Sequence, residues 1–460
     1  MNLSEYKRVY FIGIGGIGMS ALARYFLDNN QNVAGYDKTP SSITQALETE
    51  GAIIHFEDQI DLIPTEYSEN VDDTLVVYTP AIPIAHQELN YFCKNKFVVK
   101  KRAEVLGMIS ENKFTIAVAG THGKTSTSWM IAHLLKSCGI EFYALLGGIS
   151  SNYNTNYISP SNKDCKLLVV EADEYDRSFF HLKPNIAILT SIDPDHLDIY
   201  GQYAELIKAY QQFANSVSIN GKLIKSESVG RIKAEAKTEA HIYGIGNDFD
   251  VNAINIRIAE GKYIFDILTR TSFLEEIKLH VAGHHNILNA LAAFAAVWDF
   301  VQDDAKIRAG FESYKGVKRR FEYIIQKPNI VFVDDYAHHP SEIEFTINTL
   351  KELFPDKKIT GIFQPHLYSR TKDFADEFSK VLANLDKIVL LDIYPAREEP
   401  IDGINSELIL SHINKKHKYL VSKDELLELI KEDTNEVVVT MGAGDIDRLI
   451  DPIKEVLLQR

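Results

Sequence analysis

An apolar strand that runs without a break into a short glycine loop, and from there into a helix, is the strongest constraint in this 460-residue sequence. Phe114-Thr115-Ile116-Ala117-Val118-Ala119 leads into Gly120-Thr121-His122-Gly123-Lys124-Thr125-Ser126, and the apolar positions that follow continue through Leu135. A strand apolar on both faces belongs inside a parallel sheet, and parallel neighbours need helical crossovers. The rest of the chain keeps that grammar. Short β-branched runs predict strands at residues 9–14, 32–36, 75–79, 97–100, 167–171, 186–190, 330–334, 358–363, 387–392 and 436–441, with helical patterns between them. Polar and apolar residues alternate between 250 and 280, around Ala259-Glu260-Gly261-Lys262, which predicts hairpins added to the central sheet, and a helix over 286–300 closes that unit.

The class is therefore α/β, and at roughly one domain per 150 residues the length suggests about three domains. We place a Rossmann-like N-terminal domain at 1–108, a central P-loop ATPase-like α/β domain at 109–319 and a C-terminal Rossmann-like α/β domain at 320–460. Hydrophobic residues at 45% and charged residues at 25% fit ordinary cores. The formal net charge of -15 argues against broad binding to nucleic acid or anionic membrane, both of which need a basic surface. Cys93, Cys138 and Cys165 are scattered, without metal-ligand spacing, and read as reduced core thiols in a cytoplasm. The apolar stretch near the start is broken by Gly13, Gly15, Gly16 and Gly18, which makes it a strand and turn rather than a signal peptide. No run reaches the roughly 18 apolar residues that span a bilayer, so direct membrane insertion is not expected.

The first glycine loop, Gly13-Ile14-Gly15-Gly16-Ile17-Gly18-Met19, also stands between a strand and a helix. Asp37 follows at the end of the next strand, about 20 residues on, as in dinucleotide-binding sites. Bare N–H groups at a helix start hold any diphosphate, so a nucleotide sugar fits as well as NAD. The second loop adds Lys124, a point charge for β- and γ-phosphates, and Thr125, a hydroxyl for Mg²⁺. Only two residues separate its glycines, where the usual P-loop has four. Two phosphate loops in one chain favour two phosphate-bearing substrates over a lone nicotinamide cofactor, although a NAD-dependent oxidoreductase stays open as an alternative.

The short Gly-Thr-x-Gly-Lys-Thr loop resembles that of the Mur ligases of peptidoglycan synthesis, and the likeness continues along the whole chain. It implies that Gly120, Thr121, His122, Gly123, Lys124, Thr125 and Ser126 hold ATP. It further implies that Glu171, in Glu171-Ala172-Asp173-Glu174, bridges Mg²⁺ ions and that His196, in Asp195-His196, holds the second ion. On residue chemistry alone, Mg²⁺ prefers oxygen ligands, and a loop histidine such as His196 is as readily a plain hydrogen-bonding residue. His285, Asn286 and Asn289 match the adenine-binding positions of the family; read alone, Asn286 serves equally as a helix cap.

Two further motifs end successive strands of the third domain, Asp334-Asp335-Tyr336-Ala337-His338-His339-Pro340 and Gln364-Pro365-His366-Leu367-Tyr368-Ser369-Arg370. Without the resemblance, the paired histidines are also explained as a polar cluster satisfying its own backbone. With it, Tyr336, His338 and Arg370 surround an amino acid and an acyl phosphate, Asp335 lies on the nucleotide side, and Arg320 brings charge to the transferring phosphoryl group. Gly13, Gly15, Gly16, Ile17, Gly18 and Met19 become the site for a UDP-sugar.

The resemblance is nearest to the alanine-adding branch. It implies a cytoplasmic, ATP- and Mg²⁺-dependent ligase acting on UDP-N-acetylmuramate and L-alanine, with Lys124, Glu171, His196, Arg320 and His338 as its catalytic group. A ligase that recycles murein tripeptide is the alternative within the family, and other cell-wall precursor enzymes stay open as partners. Three positions depart from the family pattern. Leu367 stands where some members carry arginine, Ser191 replaces an asparagine, and Gln211 falls where several members carry a carbamylated lysine, with Lys208 one turn earlier.

Overall fold

The structure is a computed structural model that describes residues 3–194, 197–235, 238–259, 262–396, 398–432 and 436–459. Its strands form three sheets. The first holds β1 (Arg8–Ile12), β2 (Asn32–Tyr36), β3 (Ile53–His55), β4 (Thr74–Tyr78) and β5 (Val98–Lys101), all parallel, in the order β3-β2-β1-β4-β5. Strand order reverses between β1 and β4, the switch point where open α/β sheets bind ligands. The first glycine loop leaves β1 at that point.

The second sheet contains β6 (Phe114–Ala119), β7 (Tyr143–Leu145), β8 (Tyr157–Ile158), β9 (Leu167–Glu171), β10 (Ile186–Leu189), β11 (Lys222–Ser226), β12 (Glu239–Ile245), β13 (Val251–Ala259), β14 (Lys262–Thr269) and β15 (Phe273–Leu279). Its order is β15-β14-β13-β12-β11-β10-β6-β9-β7-β8, so the strand before the second loop is central, flanked in parallel by β9 and β10. The third sheet comprises β16 (Glu322–Lys327), β17 (Ile330–Asp335), β18 (Ile359–Phe363), β19 (Lys387–Leu390), β20 (Lys418–Leu420) and β21 (Val437–Met441), ordered β16-β17-β21-β18-β19-β20. Only β16 runs antiparallel to its neighbour.

Burial explains the apolar runs. On β1, Val9 and Phe11 face one core while Tyr10 and Ile12 face another, so both sides are covered. The first of these cores also takes Ala117 and Ala119 of β6 with Leu168 and Val170 of β9. The first two sheets thus share one apolar interior. They lie together in a compact unit that runs to Arg257 and includes Ile264–Leu279 and His285–Lys315. A second unit contains Ile258–Tyr263, His280–His284 and the chain from Gly316 onward, with its own core around Phe332, Ile362, Val389 and Val438. Among the described residues, no helix is long and apolar enough to cross a membrane.

Candidate active site

The end of β6 sets the geometry of the phosphate loop. Gly120 has φ +135°, and a Cβ there would overlap Thr190 Oγ1; Gly123 has φ +80°, and a Cβ would lie 2.6 Å from Asn289 Oδ1. Both positions need glycine for conformation and for space. The loop is tied down from β10, since Ser191 Oγ accepts from His122 N–H at 2.8 Å and Thr190 Oγ1 donates to the His122 carbonyl. Ser191 therefore supplies an acceptor to the loop.

Lys124 opens the helix Lys124–Ser137, and its Nζ donates to the carbonyls of Gly120 (2.6 Å) and Thr121 (3.2 Å) and to Glu174 Oε1 (2.8 Å). Burial works against the ammonium's charge, but the Glu174 carboxylate, with Asp173 and Glu171 behind it, outweighs that and raises its pKa. Thr125 Oγ1 is 3.0 Å from each carboxylate oxygen of Glu171, at the end of β9, and Glu171 Oε2 also accepts from Gly147 N–H at 3.0 Å. A Cβ on Gly147 would collide with that carboxylate. Parallel pairing of β6 with β9 thus brings Lys124, Thr125 and Glu171 together.

The proposed adenine positions meet the same helix. Thr127 Oγ1 donates to Asn289 Oδ1 (3.0 Å), and Asn289 Nδ2 donates to Asn286 Oδ1 (3.0 Å), with both asparagines buried. His285 lies beside them in the first turn of His284–Val301. His196 lies outside the described residues, and so does Asp195.

In the first sheet, Gly13 (φ +88°) turns the chain after β1, and Gly16, which carries no side-chain cap, precedes the helix Ile17–Asp28 that contains Gly18 and Met19. Gly15 N–H donates to Asp37 Oδ2 at 2.7 Å, so this carboxylate braces the loop. The helix is stitched to the second sheet. Asn156 Nδ2 donates to the Ile17 carbonyl (2.6 Å) and to Ser20 Oγ (3.0 Å), Arg24 donates to Asn156 Oδ1, and Tyr157 donates to Asp28 (2.8 Å).

In the second unit, β17 ends at Asp335, and Pro340 starts the helix Pro340–Leu353. Glu342 closes that turn by accepting from the N–H groups of His338 (3.0 Å) and His339 (3.2 Å). His338 Nδ1 lies 3.0 Å from the Tyr336 carbonyl and 3.3 Å from Glu342. A carbonyl only accepts, so Nδ1 carries the proton and Nε2 keeps a lone pair. Burial lowers the His338 pKa and, with Arg370 and Arg320, outweighs Glu342, which favours the neutral ring. The guanidiniums of Arg319 and Arg320 lie 5.1 and 5.0 Å from the Tyr336 ring centre. Asp335 is buried and accepts from Thr346 Oγ1 at 2.6 Å; burial pushes its pKa up to about 6. Arg370 stands in the first turn of Tyr368–Leu382, next to Leu367, whose φ is +73°.

Glu174 and Gly147 carry no role in the sequence motifs. A paired Gly147-Gly148 was the available signal for the second, and the repeated glutamate in Glu171-Ala172-Asp173-Glu174 for the first. Gln211 donates to Asn215 and to the Lys233 carbonyl, while Lys208 is exposed and paired with Glu205.

Comparison with known proteins decides the family. The Mur ligase family catalytic domain matches residues 8–114, the Mur ligase middle domain 118–297, and the Mur ligase glutamate ligase domain 319–444. The chain belongs to the Mur ligase family. Among its relatives, the UDP-N-acetylmuramate–L-alanine ligase of Flavobacterium psychrophilum is 50% identical over 99% of both chains. The enzyme of the same name from Christiangramia forsetii is 46% identical over 99% of both. A crystal structure of UDP-N-acetylmuramate-alanine ligase from Thermotoga maritima aligns with a TM-score of 0.82 at 27% identity, covering 98% of this Mur ligase and 99% of that chain. A murein peptide ligase from Psychrobacter arcticus shares the fold at a TM-score of 0.69 and 22% identity, covering 98% of each chain.

Proposed function

We propose that this Mur ligase joins L-alanine to the lactyl carboxylate of UDP-N-acetylmuramate at the expense of ATP, in cytoplasmic synthesis of peptidoglycan precursors. One observation carries the reading. Lys124, Thr125 and Glu171 converge at the ends of β6 and β9 in a chain 50% identical, end to end, to an alanine-adding relative. The three matched segments would act as sugar-nucleotide, ATP and amino-acid domains, divided near 108/109 and 319/320.

The chemistry runs in two transfers. A carboxylate oxygen of the sugar nucleotide takes the γ-phosphoryl group and ADP leaves; the alanine amine then attacks the acyl carbon, phosphate leaves and an amide remains. Lys124 neutralises charge on the phosphoryl oxygens, and Arg320 adds to that from the acceptor side. The amine must shed a proton to become the amide nitrogen, and His338 Nε2 takes it. Tyr336 and Arg370 frame the amino acid.

The residues present fit Mg²⁺. Thr125 and Glu171 offer hard oxygen donors side by side, and Mg²⁺ is usually held by one or two protein oxygens, with phosphate and water completing the shell. When bound, it supplies charge neutralisation across the phosphates. Among the described residues, no group of three or more His, Cys, Asp or Glu side chains gathers as a cage. His196 would be a further ligand.

Phosphate release from ATP, UDP-N-acetylmuramate and L-alanine, with each omitted in turn, tests the reaction. Full dependence on all three supports it. Turnover with UDP-N-acetylmuramate only when murein tripeptide replaces alanine would transfer the chain to the recycling branch.

A further inference from the structure

Arg102 has no place in the chemistry above, yet it lies between the first glycine loop and the segment that follows β9. It opens the helix Arg102–Ser110 directly after β5. A Cβ on Gly18, in the first turn after the first glycine loop, would lie 2.9 Å from Arg102 Nη1, 3.2 Å from its Cδ and 3.3 Å from its Cζ. Gly18, the last glycine of that motif, therefore makes room for a guanidinium. On its other side, Arg102 Nη2 is 3.4 Å from Asp173 Oδ2, two residues beyond Glu171. Arg102, Glu171, Asp173 and Ser178 line one small cleft.

Among the described residues, Asp173 is the one side-chain partner of Arg102, and the contact is long. A guanidinium has five N–H donors, so most of its capacity is left for something else. The neighbouring helix Ile17–Asp28 starts without a side-chain cap, and its first-turn N–H groups face the same end of the sheet. An arginine beside bare amides is the arrangement that takes phosphate oxygens two at a time.

We propose that Arg102 is a positioning residue for the sugar nucleotide: its guanidinium binds the diphosphate cradled by the first glycine loop and holds that substrate toward the Glu171 end of β9. The inference rests on the proposed substrate class. It assigns Gly18 the task of admitting the arginine, and it makes Asp173 the group that orients it.

Calorimetric titration of the whole chain with UDP, uridine and Mg–ATP tests this, using Arg102→Ala, Arg102→Lys and Asp173→Asn. Arg102→Ala is expected to weaken UDP about 10- to 100-fold, with uridine and Mg–ATP unchanged and Arg102→Lys in between. In turnover assays the KM for UDP-N-acetylmuramate should rise while that for ATP holds. Asp173→Asn should disturb UDP less than Arg102→Ala does. Equal losses of UDP and Mg–ATP, or identical UDP losses in Arg102→Ala and Asp173→Asn, would show a structural tie and overturn the proposal. Unchanged UDP affinity would also overturn it. Should Arg102→Ala not fold, Arg102→Lys carries the same comparison. A parent protein that binds Mg–ATP but neither UDP nor UDP-N-acetylmuramate would instead sink the substrate reading itself.

Discussion

Lys124 and Glu174 form an ion pair at 2.8 Å in which the carboxylate side chain is 1% exposed and the lysine 14%. Taking one member from such a pair leaves a buried charge uncompensated, at a cost of about 3 kcal/mol or more. Glu174→Gln should therefore lower the unfolding temperature of the nucleotide-free protein, and saturating Mg–ATP should recover much of the loss by giving Lys124 a new counter-charge. Thermal unfolding with and without nucleotide measures both. Equal destabilisation in the two conditions would mean that phosphate does not reach Lys124. Lys124→Ala, read by product formation, should reduce turnover at least about 10²- to 10³-fold.

Thr125 and Glu171 share both carboxylate oxygens through one hydroxyl. Thr125→Val removes the proposed metal-binding oxygen and leaves the side-chain shape nearly intact. The Mg²⁺ concentration for half-maximal phosphate release is expected to rise about tenfold or more, and Glu171→Gln should do the same. An unaltered Mg²⁺ titration in both variants would remove the pair from metal binding.

Burial lowers the pKa of His338, which dictates where pH should act. If its Nε2 takes the proton from the alanine amine, activity is lost only when the imidazole itself protonates. Because burial lowers that pKa, the His338 limb in kcat/KM for alanine should lie on the acid side of 6.5. His338→Ala should erase the limb and slow amide formation about 10²- to 10⁴-fold while ATP binding persists. An intact acid limb in the variant would assign it to another group.

Glu88, fully buried in the helix Gln87–Lys94, accepts from Tyr10 OH of β1 at 2.7 Å and lies 3.5 Å from His55, with Asp58 and His86 next to them. Burial pushes its carboxyl up to about 7 from an ordinary 4.5. The native state thus keeps a proton that the unfolded chain releases. This stabilisation is whole below 4.5 and is lost as pH rises through about 7. Burial lowers His55 and His86, whose contribution runs the other way, growing as pH rises toward 6.5. Glu88→Gln keeps an acceptor for Tyr10 and cannot ionise. It should be more stable than the parent above pH 7, on the order of 2 kcal/mol, in denaturant titrations run across pH. Parallel stability curves for the two proteins would refute the buried-proton account.

Elements and motifs with a local cause were legible in the sequence. Both glycine loops, the strands feeding them and the Asp334 to Pro340 turn announce themselves by composition, because glycine, proline and β-branched residues act on their own backbone. The edge strands β3 and β16 were not. β3 has no fully buried residue and β16 has one, so neither carries a continuous apolar run. At the site, partnerships set by tertiary return were hidden: Glu174 reaches Lys124 fifty residues away in sequence, and Gly147 clears space for a carboxylate on another strand. Asp37 teaches the converse. Its spacing after the first loop suggests ribose binding, whereas its carboxylate accepts from Gly15 and Thr39 amides.

The Asn156 stitch onto the helix after the first glycine loop has a pharmacological consequence. With Ile17, Ser20 and Arg24 bonded to Asn156, the residue before β8 of the second sheet, the distance between the two glycine loops is a fixed span. A two-headed inhibitor with a rigid linker cut to that span would gain effective concentration at its second head without inducing any fit.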